Sequence, residues 1–249
     1  MRYEKMSRAF FLFVFISLSG FAQQPFTVVE LFTSEGCSSC PPADELLNNV
    51  NAAAIKEGKN IFILAYHVDY WNRLGWKDPY SKLQFTKRQE NYSRVLPEKE
   101  MYTPQVVING KASFIGSKRD LLNENINAAF NEHPKESINI QRDSLRNDTI
   151  YLSYKISNTN GDYVLRIAFT ESGLISNVTK GENAGKHLKH DCVVRSFTSY
   201  EIPAVTGNLK ILANVFSGNI SRKIIAFIQQ KKDMHIVAAV AIDFPPERF

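Results

Sequence analysis

Two cysteines, Cys37 and Cys40, stand two small residues apart in the stretch TVVELFTSEGCSSCPP, Thr27 to Pro42. Thiols at that spacing can close into a disulfide within one turn and, when reduced, can attack another disulfide. The chemistry suggested is dithiol–disulfide exchange, with Cys37 attacking and Cys40 resolving. A thiolate at the start of a helix is stabilised by unpaired backbone N–H groups and by the positive end of the helix dipole. Pro41 and Pro42 have no N–H to bond back to the carbonyls of Cys37 and Ser38. A helix that begins only at Pro41 would therefore depress the Cys37 thiol less. Two other uses of the pair stay open. A structural zinc site needs four ligands, whereas Cys192 is the only other cysteine and no second CxxC or HxxxH is present. A closed structural disulfide would suit an oxidising compartment.

These residues need elements to position them. The apolar run before the turn reads as a parallel strand that delivers the pair to the carboxyl edge of a sheet. In ADELLNNVNAAAIKEG, Leu46, Leu47, Val50 and Ala54 recur at helical spacing, with Asp44 and Glu45 early and Gly58 as the stop. Asn60 to Tyr66 is nearly all apolar, as in a central parallel strand covered on both faces. Its end would release His67, Asp69 and Trp71 close to Cys37. There an imidazole and a carboxylate could tune the thiolate or relay protons, or could simply hold the loop in shape. Trp71 and Trp76 would form either a substrate wall or the core of an insertion. Pro79 to Leu96 patterns as an amphipathic helix from Ser81. Apolar strands at Gln105–Ile108 and Ala112–Ile115 flank Asn109-Gly110, a strong hairpin signal, and a helix over Lys118–Phe130 follows.

Beyond His133-Pro134 the pattern becomes alternating, as in Ile150, Leu152, Tyr154, Ile156 and in Tyr163, Leu165, Ile167, Phe169. Apolar runs at Ile211–Phe216, Ile224–Ile228 and Ile236–Ile242, with turn signals at Asn160-Gly161 and Ser217-Gly218, predict an antiparallel β-sandwich of about seven or eight strands. The expected division is residues 23–134, with a helical insertion near 68–100, and residues 135–249. Within the second part GENAGKHLKHDCVVR stands apart. His187 and His190 are three positions apart, hence on opposite faces of a strand, which argues against a shared metal. A loop packing the two parts together explains the stretch better. Cys192 reads as a lone buried thiol.

The first 22 residues have a basic start at Arg2, Lys5 and Arg8, an apolar run from Ala9 to Leu18 and small residues at Gly20 and Ala22. This pattern predicts a cleaved signal peptide and an exported product, periplasmic or extracellular, without stable membrane insertion. The net charge of +5 falls to 5 − 2 = +3 once Arg2, Lys5 and Arg8 are set against Glu4. That is too weak to imply nucleic acid.

The order strand, CxxC helix, strand, then Thr103-Pro104 before a hairpin and a last helix resembles thioredoxin. That resemblance implies a cis bond before Pro104, close to the CxxC, and a Thr103 that offers its backbone to an extended substrate. ELFTSEGCSSCPPADELL, HVDYWNRLGWKDPYS, YTPQVVINGKASFIGS and GENAGKHLKHDCVVR together resemble the secreted bacterial family known as domain of unknown function 1223, over roughly Phe26 to the C-terminus. The resulting expectation is an α/β thioredoxin-like domain followed by an all-β antiparallel sandwich. It would act as a thiol–disulfide oxidoreductase on protein or small-molecule thiols and disulfides, with no cofactor and no resident metal. Two alternatives remain: a Cu(I) binder using both thiolates and His67, and a cell-envelope adaptor with a structural disulfide.

Overall fold

The computed structural model of the chain describes residues 24–147, 149–157, 160–212 and 220–244. The expected signal peptide and the Ser217-Gly218 turn lie outside them. The first strand, β1 (Thr27–Thr33), is buried at every position, as a strand covered on both faces must be. It runs parallel to β2 (Ile61–His67), with Thr27 opposite Ile61 and Thr33 opposite His67, and antiparallel to β3 (Gln105–Ile108). Between β1 and β2, helix α1 (Pro41–Glu57) begins at the first proline of the pair and ends on Gly58, whose φ of 64° supplies the left-handed cap. A 3-10 turn (Tyr70–Leu74) and α2 (Leu83–Val95) follow β2.

The Asn109-Gly110 turn joins β3 to β4 (Ala112–Ile115), with φ of 46° and 71° at its two residues. Gly110 is required twice over, since a Cβ there would also sit 2.0 Å from the carbonyl oxygen of Met234. Helix α3 (Arg119–Phe130) then leads into the alternating half. That half contains β5 (Ile138–Arg146), β6 (Thr149–Ile156), β7 (Tyr163–Ser172), β8 (Leu174–Asn177), β9 (His187–His190), β10 (Val193–Glu201), β11 (Thr206–Leu212), β12 (Ser221–Gln230) and β13 (Ile236–Phe244). No helix among the described residues is long and apolar enough to cross a membrane.

The expected α/β thioredoxin-like domain with a separate all-β sandwich behind it is overturned by the sheet itself. The molecule is mostly β, and one mixed eight-stranded sheet runs β13-β12-β7-β10-β2-β1-β3-β4 through both halves. The join is the free edge of β2, where Val193 of β10 pairs with Ala65 and the Ala65 N–H donates to the Cys192 carbonyl at 2.9 Å. The alternation in the second half is real, but its strands divide: four extend the main sheet, three form a small sheet ordered β11-β6-β5, and β8 and β9 pair only with each other. Local periodicity reports which face of a strand is apolar, not which remote edge the strand will join.

Three apolar layers result. Leu46, Leu47, Leu122 and Ile126 from α1 and α3 pack on Val29, Leu31, Val106 and Ile108. The three-stranded sheet lays Ile140, Ile150, Leu152 and Ile156 over Leu165, Ile167, Phe169, Ile224 and Ile228. On the remaining face, Phe85 and Tyr92 of α2 meet Phe32, Tyr66, Phe197 and Phe227.

That last layer encloses an ion pair. Arg88 of α2 bonds Glu30 of β1 through Nε at 2.6 Å and Nη2 at 2.9 Å. Its guanidinium carbon lies 4.6 to 5.6 Å from the ring centroids of Phe197, Tyr92, Tyr66 and Phe227. Tyr92 also donates to Glu30, and Gln229 of β12 receives Arg88 Nη1 at 3.3 Å. Removing one member of such a pair strands the other charge in an apolar site, at a cost of about 3–5 kcal/mol. Arg88→Met should therefore lower the denaturant midpoint sharply, and adding Glu30→Gln should recover part of the loss. Equal stability of wild type and Arg88→Met in urea would contradict the arrangement.

Candidate functional site

Cys37 and Cys40 form a disulfide at the carboxyl end of β1, with their Cα atoms 5.5 Å apart. The turn is local: Cys37 N–H donates to Ser34 O at 3.1 Å, and Cys40 N–H to Cys37 O at 3.2 Å. Cys40 is the residue before the helix, so Cys37 stands outside α1. Both cysteines are fully buried, while Ser38 and Ser39 are exposed. Gly36 lets the turn pass closely beside Trp71, since a Cβ there would lie 3.1 Å from the Trp71 Cβ.

Thr103 and Pro104 come to the same place. The Thr103-Pro104 bond is cis. The Thr103 carbonyl lies 3.8 Å from Cys37 Sγ and accepts from Ser39 Oγ at 3.4 Å. Trp71 fixes Thr103 from behind, its indole N–H donating to the Thr103 hydroxyl at 2.8 Å. Beside this contact opens a groove of about 900 Å³ lined by Ser39, Glu98, Tyr102, Thr103, Pro104 and Ile115 among others. Another hollow of about 520 Å³ lies between Phe62, Ile138 and Val240, and neither it nor the groove is lined by a cysteine or histidine.

His67 and Asp69 have different surroundings from those of the disulfide edge. The Asp69 carboxylate accepts from Thr86 Oγ1 at 2.6 Å and ties the 3-10 turn to α2. His67 is fully buried, with Nδ1 2.7 Å from Asp78 Oδ2. Asp78 also accepts the backbone N–H groups of Glu35 and Tyr80, each at 2.9 Å. Glu35 is in turn buried: it accepts the Trp76 indole at 2.7 Å on one oxygen and lies 3.0 Å from His190 Nε2 on the other. The two imidazole rings meet edge to face at 5.0 Å, and Tyr80 packs against both. Asp44, one turn into α1, accepts from Thr33 Oγ1 at 3.1 Å within reach of the same histidines.

These residues form a polar layer beneath the disulfide, and burial sets their acidity. Burial raises the Asp44 carboxyl above its ordinary range, against the pull of His190 and His67. For His67, burial opposes the charged ring, but the Asp78 carboxylate beside it outweighs that and the net direction is upward. For Asp78, burial is likewise outweighed, by His67 and by the two N–H donors, and its carboxyl is held below the ordinary value. Among the described residues no group of three or more His, Cys, Asp or Glu is arranged to hold a metal, and His67 Nε2 and His190 Nδ1 have no hydrogen-bond partner. Cys192 is outside the disulfide and buried just before β10, with the Ser172 hydroxyl 3.9 Å from its sulfur, and burial pushes its thiol up to about 12, an unreactive value.

Sequence reasoning missed Glu35, Asp78 and the tip of the β8–β9 hairpin. Asn183 there is fully buried and donates to Glu35 O at 2.8 Å and to Cys37 O at 2.9 Å. Glu182 accepts the Ser38 N–H at 3.0 Å. The available signals were Glu35 two residues before Cys37 and the unusual GENAGKHLKH stretch, which does pack the two parts together and in doing so bonds the CxxC turn. His187 is exposed beside Asn177 while His190 points inward, so the two do not converge.

The His67–Asp78 pair should be visible in stability. A histidine raised in the folded state contributes fully below its unfolded value near 6.5 and loses that contribution as pH rises through the folded value. Denaturation midpoints should therefore fall as pH rises above about 6.5, the side on which an elevated imidazole titrates. Asp78→Asn should flatten that slope. An unaltered slope in the variant would remove the pair as its origin.

The comparisons agree with an architecture that spans the chain. A crystal structure of a protein from Agrobacterium tumefaciens is 25% identical and superposes with a TM-score of 0.68, covering 92% of this chain and 99% of the other. A domain of the outer membrane lipoprotein Omp28 from Porphyromonas gingivalis is 14% identical over 46% of this chain and 99% of its own, with a TM-score of 0.25, too slight a likeness to carry an argument. No curated protein matches. Residues 28–235 match the family described as protein of unknown function DUF1223, and the chain belongs to that family.

Proposed function

We propose that the protein is an exported thiol–disulfide oxidoreductase working through Cys37 and Cys40 on protein or small-molecule partners. The observation that carries this reading is the closed Cys37–Cys40 pair at the carboxyl edge of β1, against the Thr103 carbonyl and beside an open groove. An open trough beside Ser39 and Thr103 gives an extended partner a place to lie. The disulfide itself accords with export into an oxidising compartment.

The exchange is written for the reduced protein. The Cys37 thiolate attacks a partner disulfide, one partner sulfur leaves as a thiolate and takes up a proton, and a mixed disulfide forms. The Cys40 thiolate then attacks the Cys37 sulfur, releases the second partner thiol and closes Cys37–Cys40. Two electrons pass to the partner, and a thiol reductant must return them before the next cycle. The reverse sequence oxidises a dithiol, with direction set by the relative reduction potentials.

The complete burial of both cysteines favours a second reading, an envelope adaptor whose disulfide is structural. Turnover separates the two. Dithiothreitol-driven insulin reduction, or oxidation of reduced ribonuclease, should fall to background in Cys37→Ser, and Cys40→Ser should accumulate a mixed disulfide. Undiminished turnover in Cys37→Ser would remove the oxidoreductase reading and leave the adaptor.

A further inference from the structure

The CxxC turn meets a separate piece of the second half of the chain. Strands β8 and β9 pair only with one another, from Leu174 opposite His190 to Asn177 opposite His187, so they project as a two-stranded arm. The arm begins at Gly173, with φ of 80°, whose N–H donates to Asp191 Oδ1 at 2.7 Å. Its base is attached by the His190–Glu35 contact, and its tip crosses the CxxC turn.

At the tip, Asn183 spends both amide hydrogen bonds on the turn, and its carbonyl accepts Lys186 Nζ at 2.9 Å, which fixes the direction of the amide. Glu182 occupies the Ser38 N–H, the backbone donor next in sequence to Cys37. Backbone donors of that kind stabilise a thiolate. A carboxylate already seated on one removes it from use and adds a like charge nearby. The charged and titratable groups facing this spot are Glu182 and Lys186 on the arm, and Glu35 and His190 beneath it. Bonds from Ser38 hold the exposed Glu182 carboxyl below its ordinary range, so it is charged at neutral pH.

We infer that Glu182 and Asn183 are positioning residues that gate the dithiol site. Seated, they cover the disulfide and claim the Ser38 N–H. Displaced, they expose the sulfurs to a thiol partner and return that donor to the Cys37 thiolate. The purpose of the gate rests on the oxidoreductase reading, whereas its existence can be tested without it.

The test is reduction of Cys37–Cys40 in the full chain by dithiothreitol at neutral pH, read by trapping free thiols with an alkylating mass tag. A dithiothreitol thiolate attacks one sulfur and the S–S bond breaks. The other sulfur leaves and is protonated, and the second dithiothreitol sulfur then closes its ring and frees the first. Asn183→Ala should accelerate this step about tenfold, the effect of losing two hydrogen bonds to the turn at the lower end of their usual net worth. Glu182→Ala should accelerate it severalfold, because the seat on the Ser38 N–H and the charge beside it are both lost. Lys189→Ala, exposed on the same arm, should leave the rate unchanged.

Rates within about twofold of wild type in both variants, less than half a net hydrogen bond's effect, would overturn the gate. If Asn183→Ala fails to fold, the surface variant Glu182→Ala decides alone, and an unchanged rate in it would be sufficient. A wild type inactive in insulin reduction, with both variants accelerated here, keeps the gate and removes the oxidoreductase. Activity with unaccelerated variants does the reverse.

Discussion

The structure is built around a guanidinium that cannot be neutralised. Arg88 lies in the core with only Glu30 to balance it, and four aromatic rings surround it. Those rings come from β2, α2, β10 and β12, and the carboxylate from β1, so the charge is satisfied only when both halves of the chain are assembled. The same requirement specifies register. A one-residue slip of β1 would turn Glu30 to the face covered by α1 and α3 and leave Arg88 unpaired in an apolar box. β10 is tied to β2 through the single Val193–Ala65 pairing, so these side chains supply much of the specificity at that seam.

The composite sheet explains why the disulfide edge has contributions from distant parts of the chain. The turn between β1 and α1 supplies Cys37 and Cys40, α1 supplies Asp44, the segment after β2 supplies Asp78 and Trp71, and the β8–β9 arm supplies His190, Glu182 and Asn183. The layer is joined across segments, His67 to Asp78 and Glu35 to His190 and Trp76, while His67 Nε2 and His190 Nδ1 have no hydrogen-bond partner. Such a layer is costly to desolvate and strongly dependent on its partners, so it holds the turn above it in one geometry.

What the sequence disclosed was local. The helix start at Pro41, the cap at Gly58, the hairpin at Asn109-Gly110 and the placement of Pro104 beside the CxxC follow from the chemistry of prolines and glycines over a few residues or from the resemblance. The alternation at Ile150 to Ile156 correctly marked buried positions. The edge that β10 would choose was not disclosed, because a nearly isolated pairing leaves no periodic trace in either strand. Asp69 seemed suited to tuning a thiolate because it follows β2, yet a nearer donor, Thr86, claims it. Glu35 and Asn183 could be recognised only through partners up to 155 residues away.

The central claim is that Cys37–Cys40 is a working redox pair held under an arm, and its reduction potential tests this most directly. Equilibration of the intact protein with graded dithiothreitol or glutathione buffers, followed by thiol trapping, gives that value. The account predicts a potential within the range of catalytic pairs, from about −270 to about −120 mV. A value below about −300 mV, where structural disulfides of secreted proteins lie, would contradict it.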